Sequence, residues 1–115
     1  MDQIDGLTDL QLGVMQVLWK QGEATAAEVR RALSAERSLA QTTVATLLSR
    51  LEKKGLVAHR ADGRQYVFRA SVSEPQVRRA LVEGVLRRLF RGDRAALIRY
   101  LAEPAEPAGE PLPEG

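Results

Sequence analysis

Short hydroxyl side chains and cations share one face of the segment from Gln41 to Lys54, where apolar side chains recur at helical spacing on the other face. The polar face carries Thr42, Thr43, Thr46, Ser49, Arg50 and Lys53. Threonine is a weak helix former, so three threonines on an exposed helix cost stability that packing alone does not explain. Hydroxyls and cations hydrogen-bond to base edges and phosphates, and the threonine methyl can contact the thymine methyl. The pattern indicates a surface that reads nucleic acid.

Four further residues extend this candidate surface. Gln41 stands at the start of the helix, Thr25 begins a preceding helix whose free N–H groups could bind a phosphate, and Arg60 and Arg64 belong to a hairpin. Plainer interpretations stay open, with Thr25 as a helix cap and the arginines as solvated surface. Arg50 could reach a guanine with two hydrogen bonds or meet only a phosphate. The candidate residues for binding double-stranded DNA are Thr25, Gln41, Thr42, Thr43, Thr46, Arg50, Lys53, Arg60 and Arg64.

Charge is segregated along the chain, although the net charge is only +2. Residues 41–69 hold six cations against two acids, and residues 70–102 hold seven arginines against three acids. Residues 103–115 carry four glutamates and no cation. A basic patch of this kind is typical of a nucleic-acid-binding domain, although an arginine-rich solvated surface would give the same distribution.

Composition excludes several kinds of chemistry. The chain has 115 residues, which is the length of one domain, with no cysteine and a single histidine, His59. Disulfides and thiolate metal sites are therefore excluded, and we expect neither a metal nor a cofactor. No paired carboxylates, glycine-rich phosphate loop or nucleophile–base pair has a useful spacing, so an enzyme is not expected. The acidic start and the absence of a long apolar run predict a cytoplasmic protein with no membrane partner.

Periodicity, capping boxes and turn residues predict a mainly α fold with a small β-hairpin. The expected order of helix, helix, turn, amphipathic helix and hairpin is that of a winged helix-turn-helix, whose third helix enters the major groove while the hairpin lies along the backbone. The predicted elements are a helix from Asp9 to Lys20, a short helix from Thr25 to Ser34, a helix from Gln41 to Lys54, strands at 56–60 and 65–70 around Ala61–Arg64, a helix from Ser73 to Arg91, and a short helix after Asp93.

The fourth helix carries more apolar surface than a small three-helix core can cover, so part of it is expected to meet a second copy of the chain. We therefore predict a DNA-binding domain at 7–70, C-terminal dimerisation helices at 73–102, and a disordered acidic, proline-rich tail at 103–115. The candidate residues for the homodimer interface are Val77, Leu81, Val85, Leu86, Leu89, Phe90, Leu97 and Leu101.

Two runs of sequence resemble the penicillinase-repressor family. They are LTDLQLGVMQVLWKQGEATAAEVRRAL from residue 7 and LAQTTVATLLSRLEKKGLVAHRADGRQYVFRA from residue 39, and the likeness extends to about residue 101. Its most specific parts are Leu18-Trp19, the block at 42–57, Asp62-Gly63-Arg64 and Leu89-Phe90. The resemblance implies a homodimeric repressor on a dyad operator, and in several members a sensor protease acts as the inducing partner.

The chain departs from that family in three places. Gln41 stands where many members have an aromatic residue or proline, the cysteine-rich C-terminus of the copper-responsive branch is absent, and EPAEPAGEPLPEG replaces a further helix. Copper sensing by that route is therefore excluded. A different function class also stays open, in which the winged helix is a protein-interaction module whose basic face meets an acidic partner. The hydroxyl-rich face of the third helix favours DNA.

Overall fold

The computed structural model describes residues 3–35 and 37–104, which form two compact parts, one up to Val82 and one from Glu83. A short 3₁₀ turn at Gln3–Gly6 precedes the first helix. The helices are α1 (Asp9–Gln21), α2 (Ala26–Leu33), α3 (Gln41–Lys53), α4 (Glu74–Phe90) and α5 (Arg94–Ala102), and the strands are β1 (Ala24–Thr25), β2 (Val57–Asp62) and β3 (Gln65–Ala70). This order confirms the predicted winged helix-turn-helix, and no helix of the described ranges is both long and apolar enough to cross a membrane.

Reciprocal capping boxes begin both α1 and α2. Thr8 Oγ1 accepts from the Gln11 backbone N–H at 3.1 Å, while Gln11 Oε1 accepts from the Thr8 N–H at 3.0 Å. Thr25 and Glu28 repeat the arrangement at 3.2 and 2.8 Å. Each box satisfies two N–H groups that the first helical turn leaves unpaired, which explains why both helices begin where the sequence predicts.

The third helix begins at Gln41 without a side-chain cap and ends at a glycine turn. Gly55 has a φ of +82°, a left-handed conformation that glycine adopts at little cost. The Leu56 N–H then donates to the Leu51 carbonyl at 3.0 Å, a bond typical of a Schellman motif. The helix therefore stops abruptly, and β2 starts two residues after Gly55.

The core lies between α1, α2, α3 and the inner face of the sheet. Its fully buried side chains come from all three helices and include Met15, Val29 and Leu48. The sheet adds Val57 and Phe68 to the same cluster. Because four apolar residues of α3 are buried in this core, the opposite face of the helix is held toward solvent.

The sheet has three strands rather than the two of the predicted hairpin. Its order is β1-β3-β2, and all pairs are antiparallel. Strand β1 escaped prediction because a two-residue strand carries no periodicity of its own and exists only through its pairing with Val67 and Phe68. The predicted four-residue connection Ala61–Arg64 is also wrong, since Asp62 pairs with Gln65 and only two residues form the turn. Gly63, at φ +65°, takes the first central position, where a type II′ turn needs glycine.

The second compact part contains the end of α4 and the whole of α5. Asp93 caps α5 by accepting from the Ala96 N–H at 3.1 Å, as its position predicted. Arg94 pairs with Glu83 at 2.9 Å, and the rings of Phe90 and Tyr100 lie 5.8 Å apart. Residues 105–115 of the predicted tail lie outside the described residues, and the proposed division at 70–73 stays a prediction.

The eight candidate dimer residues differ in exposure. Val77 and Leu86 are buried within the chain itself, with 1% and 4% of their surface exposed, so neither offers surface to a second copy. Their burial narrows the candidate interface, because a helix face predicted from periodicity includes positions that the chain covers internally. Leu89 and Leu101 are 73% and 70% exposed, and Ile98 and Tyr100, which were not among the candidates, are similarly open.

Candidate nucleic-acid interface

The exposed side of α3 divides into a central ridge and two flanks when its residues are placed at 100° intervals. The ridge, opposite the buried face, carries Thr42, Thr46 and Lys53. Thr43 and Arg50 lie on one flank, and Gln41 lies on the other. All six candidates on this helix are exposed, as are Arg60 and Arg64, while Thr25 is half-buried by its capping role. The structure therefore brings the hydroxyls and cations of α3 together on one accessible surface.

The flank of α3 that carries Gln41 faces a groove of about 770 Å³, which separates this helix from the wing, the β2–β3 hairpin. Small side chains of α3, Ala45 and Ser49, form one wall. Tyr66 and Phe68 of β3 form the other wall, and the start of α2 at Thr25 closes one end. The groove joins three separate parts of the candidate surface. A nucleic-acid strand whose sugar–phosphate backbone lay in the groove would therefore touch α2, α3 and the wing.

Glu52 and His59 connect α3 to the wing inside this groove. His59 Nδ1 lies 2.8 Å from each oxygen of the Glu52 carboxylate. The imidazole ring also packs on Tyr66 and Phe68, with centroid distances of 4.4 and 5.6 Å. About a third of each side chain of the pair is exposed, 34% for His59 and 36% for Glu52. The sequence predicts only that His59 lies in the strand at 56–60.

Arg60 makes a second connection on the opposite face of the hairpin. Its guanidinium donates to both oxygens of Glu23, at 3.0 and 3.3 Å. The hydrogen bond and the charge attraction between them lower the pKa of the Glu23 carboxyl and raise the pKa of Arg60. Both groups face solvent, so water screens the pair. A phosphate contact by Arg60 must therefore share the guanidinium with Glu23.

The other three candidate cations have no such partner. Among residues 3–35 and 37–104, no acid lies within salt-bridge distance of Arg50, Lys53 or Arg64. Arg64 stands at the tip of the wing, in the turn between Asp62 and Gln65. The first turn of α3 adds backbone N–H groups that no side chain caps. Unpaired cations and a free helix N-terminus both favour binding of phosphate groups.

In the described ranges, no cluster of three or more histidine, aspartate or glutamate side chains could hold a metal ion. The single histidine is engaged with Glu52, as an acid–base pair. The arrangement is suited to binding a polyanion through hydroxyls, cations and an accessible groove.

Sequence reasoning missed the groove and several of the residues that form it, although Thr25 and Gln41 were candidates. Ala45 has neither charge nor hydrogen-bonding group, and Tyr66 is an uncharged residue of the predicted strand at 65–70. Glu52 and His59 stand seven residues apart across a glycine turn, and this spacing alone does not show that the acid and the imidazole meet. A carboxylate in the last turn of a helix, followed by a tight turn and a histidine in the next strand, was the available signal.

Comparison with known proteins supports the resemblance found in the sequence. The model of the family described as penicillinase repressor matches residues 7–109. The chain is 29% identical over 114 residues to the penicillinase repressor of Bacillus licheniformis, covering 99% of this chain and 89% of that protein. It is 45% identical over 69 residues to the transcriptional regulator BlaI of Mycobacterium tuberculosis, covering 59% of this chain and 50% of that protein.

A solved structure of a related repressor has the same fold. The monomeric form of Bacillus licheniformis BlaI, in complex with the blaP half-operator, superimposes with a TM-score of 0.54 at 35% identity. The superposition covers 64% of this chain and 90% of that one. Together with the family match over most of its length, this places the chain in the penicillinase repressor family.

Proposed function

We propose that this protein is a sequence-specific DNA-binding transcriptional repressor. The observation that carries the proposal is the exposed face of α3, where three threonines and two cations stand together and none of the described acids pairs with Arg50 or Lys53. A related BlaI structure that contains a half-operator supports it. Family members are transcription regulators rather than enzymes. We further propose a cytoplasmic location, where promoter DNA is accessible.

The proposed mode of binding follows from the placement of α3 and the wing. The helix would lie in the major groove, whose base edges give a distinct pattern of donors and acceptors for each base pair. The threonine ridge would face those edges, while Arg64 and the uncapped start of α3 would contact phosphates on either side. Repression follows because occupied promoter DNA is not available to the transcription machinery.

Replacing Thr43 and Thr46 by alanine should abolish sequence preference. The hydroxyls and methyls of both residues are exposed, and alanine removes the hydrogen bonds while improving helix propensity. We expect the affinity ratio between a duplex selected from a random library and an unselected duplex to fall from about 10³ or more to near one. Fluorescence anisotropy with both duplexes measures that ratio.

Ser71→Ala serves as the matched control, since this exposed hydroxyl lies outside α3 and the wing turn. The control should retain the preference of the wild-type chain. A double threonine variant that keeps full preference would show that Thr43 and Thr46 do not read the bases. A wild-type chain with no preference among duplexes would favour the rival function, a winged helix that binds an acidic protein through its charges.

We also propose that the repressor acts as a homodimer on an inverted repeat, with its two recognition helices about 34 Å apart in successive major grooves. The exposed apolar side chains of α4 and α5 support this proposal. Such side chains are usually covered when they cluster. In the second compact part they are Val85, Leu89, Ile98, Tyr100 and Leu101. Membership of the family supports a sensor protease as the inducing partner.

Placing acids on this surface should dissociate the dimer. In the variant with Leu89→Glu and Leu101→Glu, two exposed apolar contacts become charged groups that dimerisation would have to desolvate. Sedimentation at micromolar concentration should show a dimer for the wild-type chain and a monomer for the variant. Gln21→Glu, an exposed position at the end of α1, adds an acid elsewhere and should leave the dimer intact. A monomeric wild-type chain without DNA would contradict the proposal.

A further inference from the structure

The wing is tied to two different elements by consecutive residues of β2. His59 points into the groove and pairs with Glu52 of α3 at 2.8 Å, while Arg60 points to the other face and pairs with Glu23 ahead of β1 at 3.0 Å. Neighbouring residues of a strand alternate between its faces, so one dipeptide holds the hairpin from both sides. The two ties differ in one respect, since a guanidinium keeps its charge in proteins, whereas histidine is the side-chain type that can exchange a proton in the physiological pH range.

We propose that Glu52 and His59 are positioning residues for DNA binding, a clasp that sets the wing against the recognition helix and tightens when the imidazole is protonated. The inference rests on the proposed DNA-binding function and deepens it. The pair joins the two walls of the groove between α3 and the wing, and a DNA backbone strand that enters the groove would touch both walls. A clasped wing therefore pre-organises the surface, and preorganisation raises affinity because less ordering remains to be done on binding.

Proton uptake strengthens the clasp through hydrogen bonding. A protonated imidazole always carries hydrogen on Nδ1, so it donates to Glu52 in every state, whereas the neutral ring does so in only one of its two tautomers. The charged form also places opposite charges on donor and acceptor, which strengthens the hydrogen bond to the carboxylate.

Charge balance in the groove acts in the same direction. Glu52 is the only acid of α3, and its negative charge lies beside the space proposed for DNA phosphates. The other groups that line the groove are Thr25, Ala26 and Ala27 from α2 and its cap, Gln41, Ala45 and Ser49 from α3, and Gln65, Tyr66 and Phe68 from β3. Of these only Tyr66 carries an ionisable group, a phenol. A protonated His59 therefore cancels the charge of the one carboxylate beside this space.

The test measures affinity against pH with a duplex selected from a random library by the wild-type chain. We expect the affinity of the wild-type chain to fall about fivefold between pH 6 and pH 8, the size expected from a partly exposed ion pair. His59→Gln keeps an amide donor but removes the only imidazole of the chain, so its affinity should change less than about twofold over this range. Glu52→Gln retains the histidine without its charged partner, and its affinity for the duplex should change with pH equally little.

The Glu52→Gln variant separates the clasp from a simpler effect. If it keeps the full pH dependence of the wild-type chain, His59 acts on DNA by its own charge and the clasp is wrong. If the affinity of the wild-type chain does not change with pH but its sequence preference is strong, the clasp is wrong and the proposed function is unaffected. Failure of the selection to yield any preferred duplex would overturn the proposed function itself.

A measurement on the wild-type chain protects the test against variants that do not fold. The ring protons of the single histidine are resolvable by NMR, and their shifts report the charged fraction of the imidazole. At pH 7 the selected duplex should increase that fraction, because DNA binding and protonation are linked. An unchanged or smaller charged fraction in the complex would contradict the inference.

Discussion

Raising monovalent salt from 50 to 200 mM should weaken binding of the dimer to a selected duplex about 10⁴-fold. Each protomer presents four candidate phosphate-binding cations, namely Arg50, Lys53, Arg60 and Arg64, all of which are exposed. Two protomers would neutralise about eight phosphates, and each phosphate contributes roughly −0.9 to the slope of log affinity against log salt. The expected slope is therefore about −7. Anisotropy titrations at four or five salt concentrations measure it directly.

Single substitutions test which cations contribute to this slope. Arg50→Gln removes one unpaired cation per protomer and should reduce the magnitude of the slope by about two for the dimer. Arg31→Gln removes an exposed cation from α2 and serves as the control, with no expected change. A slope near zero for the wild-type chain would reject DNA binding through phosphate neutralisation. Equal slopes for Arg50→Gln and the control would show that Arg50 does not neutralise a phosphate.

Leu48→Ala should destabilise the fold by about 3 kcal/mol. The Leu48 side chain has no exposed surface and belongs to the cluster that joins α3 to α1, α2 and the sheet. Truncation loses the transfer free energy of the removed carbons and leaves a cavity that close-packed neighbours fill only in part. Urea denaturation followed by circular dichroism measures the change in unfolding free energy. Because small domains are stable by only about 5–15 kcal/mol, the loss should also reduce the folded, DNA-binding population on warming.

Ser49→Ala provides the comparison on the next residue of the same helix. Ser49 is exposed on the groove wall and alanine has the higher helix propensity, so its unfolding free energy should stay within about 0.5 kcal/mol of the wild-type value. A loss below about 1 kcal/mol for Leu48→Ala would contradict the burial of this side chain and the placement of α3 in the core.

Local sequence determined the helices, their ends and the polar face of α3. Thr8 and Thr25 begin helices because their hydroxyls and the acceptor three residues later exchange bonds with backbone N–H groups, an interaction that spans four residues. Gly55 and Gly63 place turns because few other residues adopt a positive φ. These interactions are short in sequence, so the order of residues alone reveals them, and the hydroxyl-and-cation surface follows from helical periodicity.

Tertiary structure alone decided which distant residues meet. The pairing of Glu23 with Arg60 joins positions 37 residues apart, and β1 exists only because β3 lies beside it. The groove and the Glu52–His59 clasp depend on the angle between α3 and the wing, while Val77 and Leu86 became core rather than surface when the chain folded around them. Periodicity states which face of an element is apolar. What covers that face, and which charges come within bonding distance, is settled by packing between elements whose relative positions no local pattern encodes.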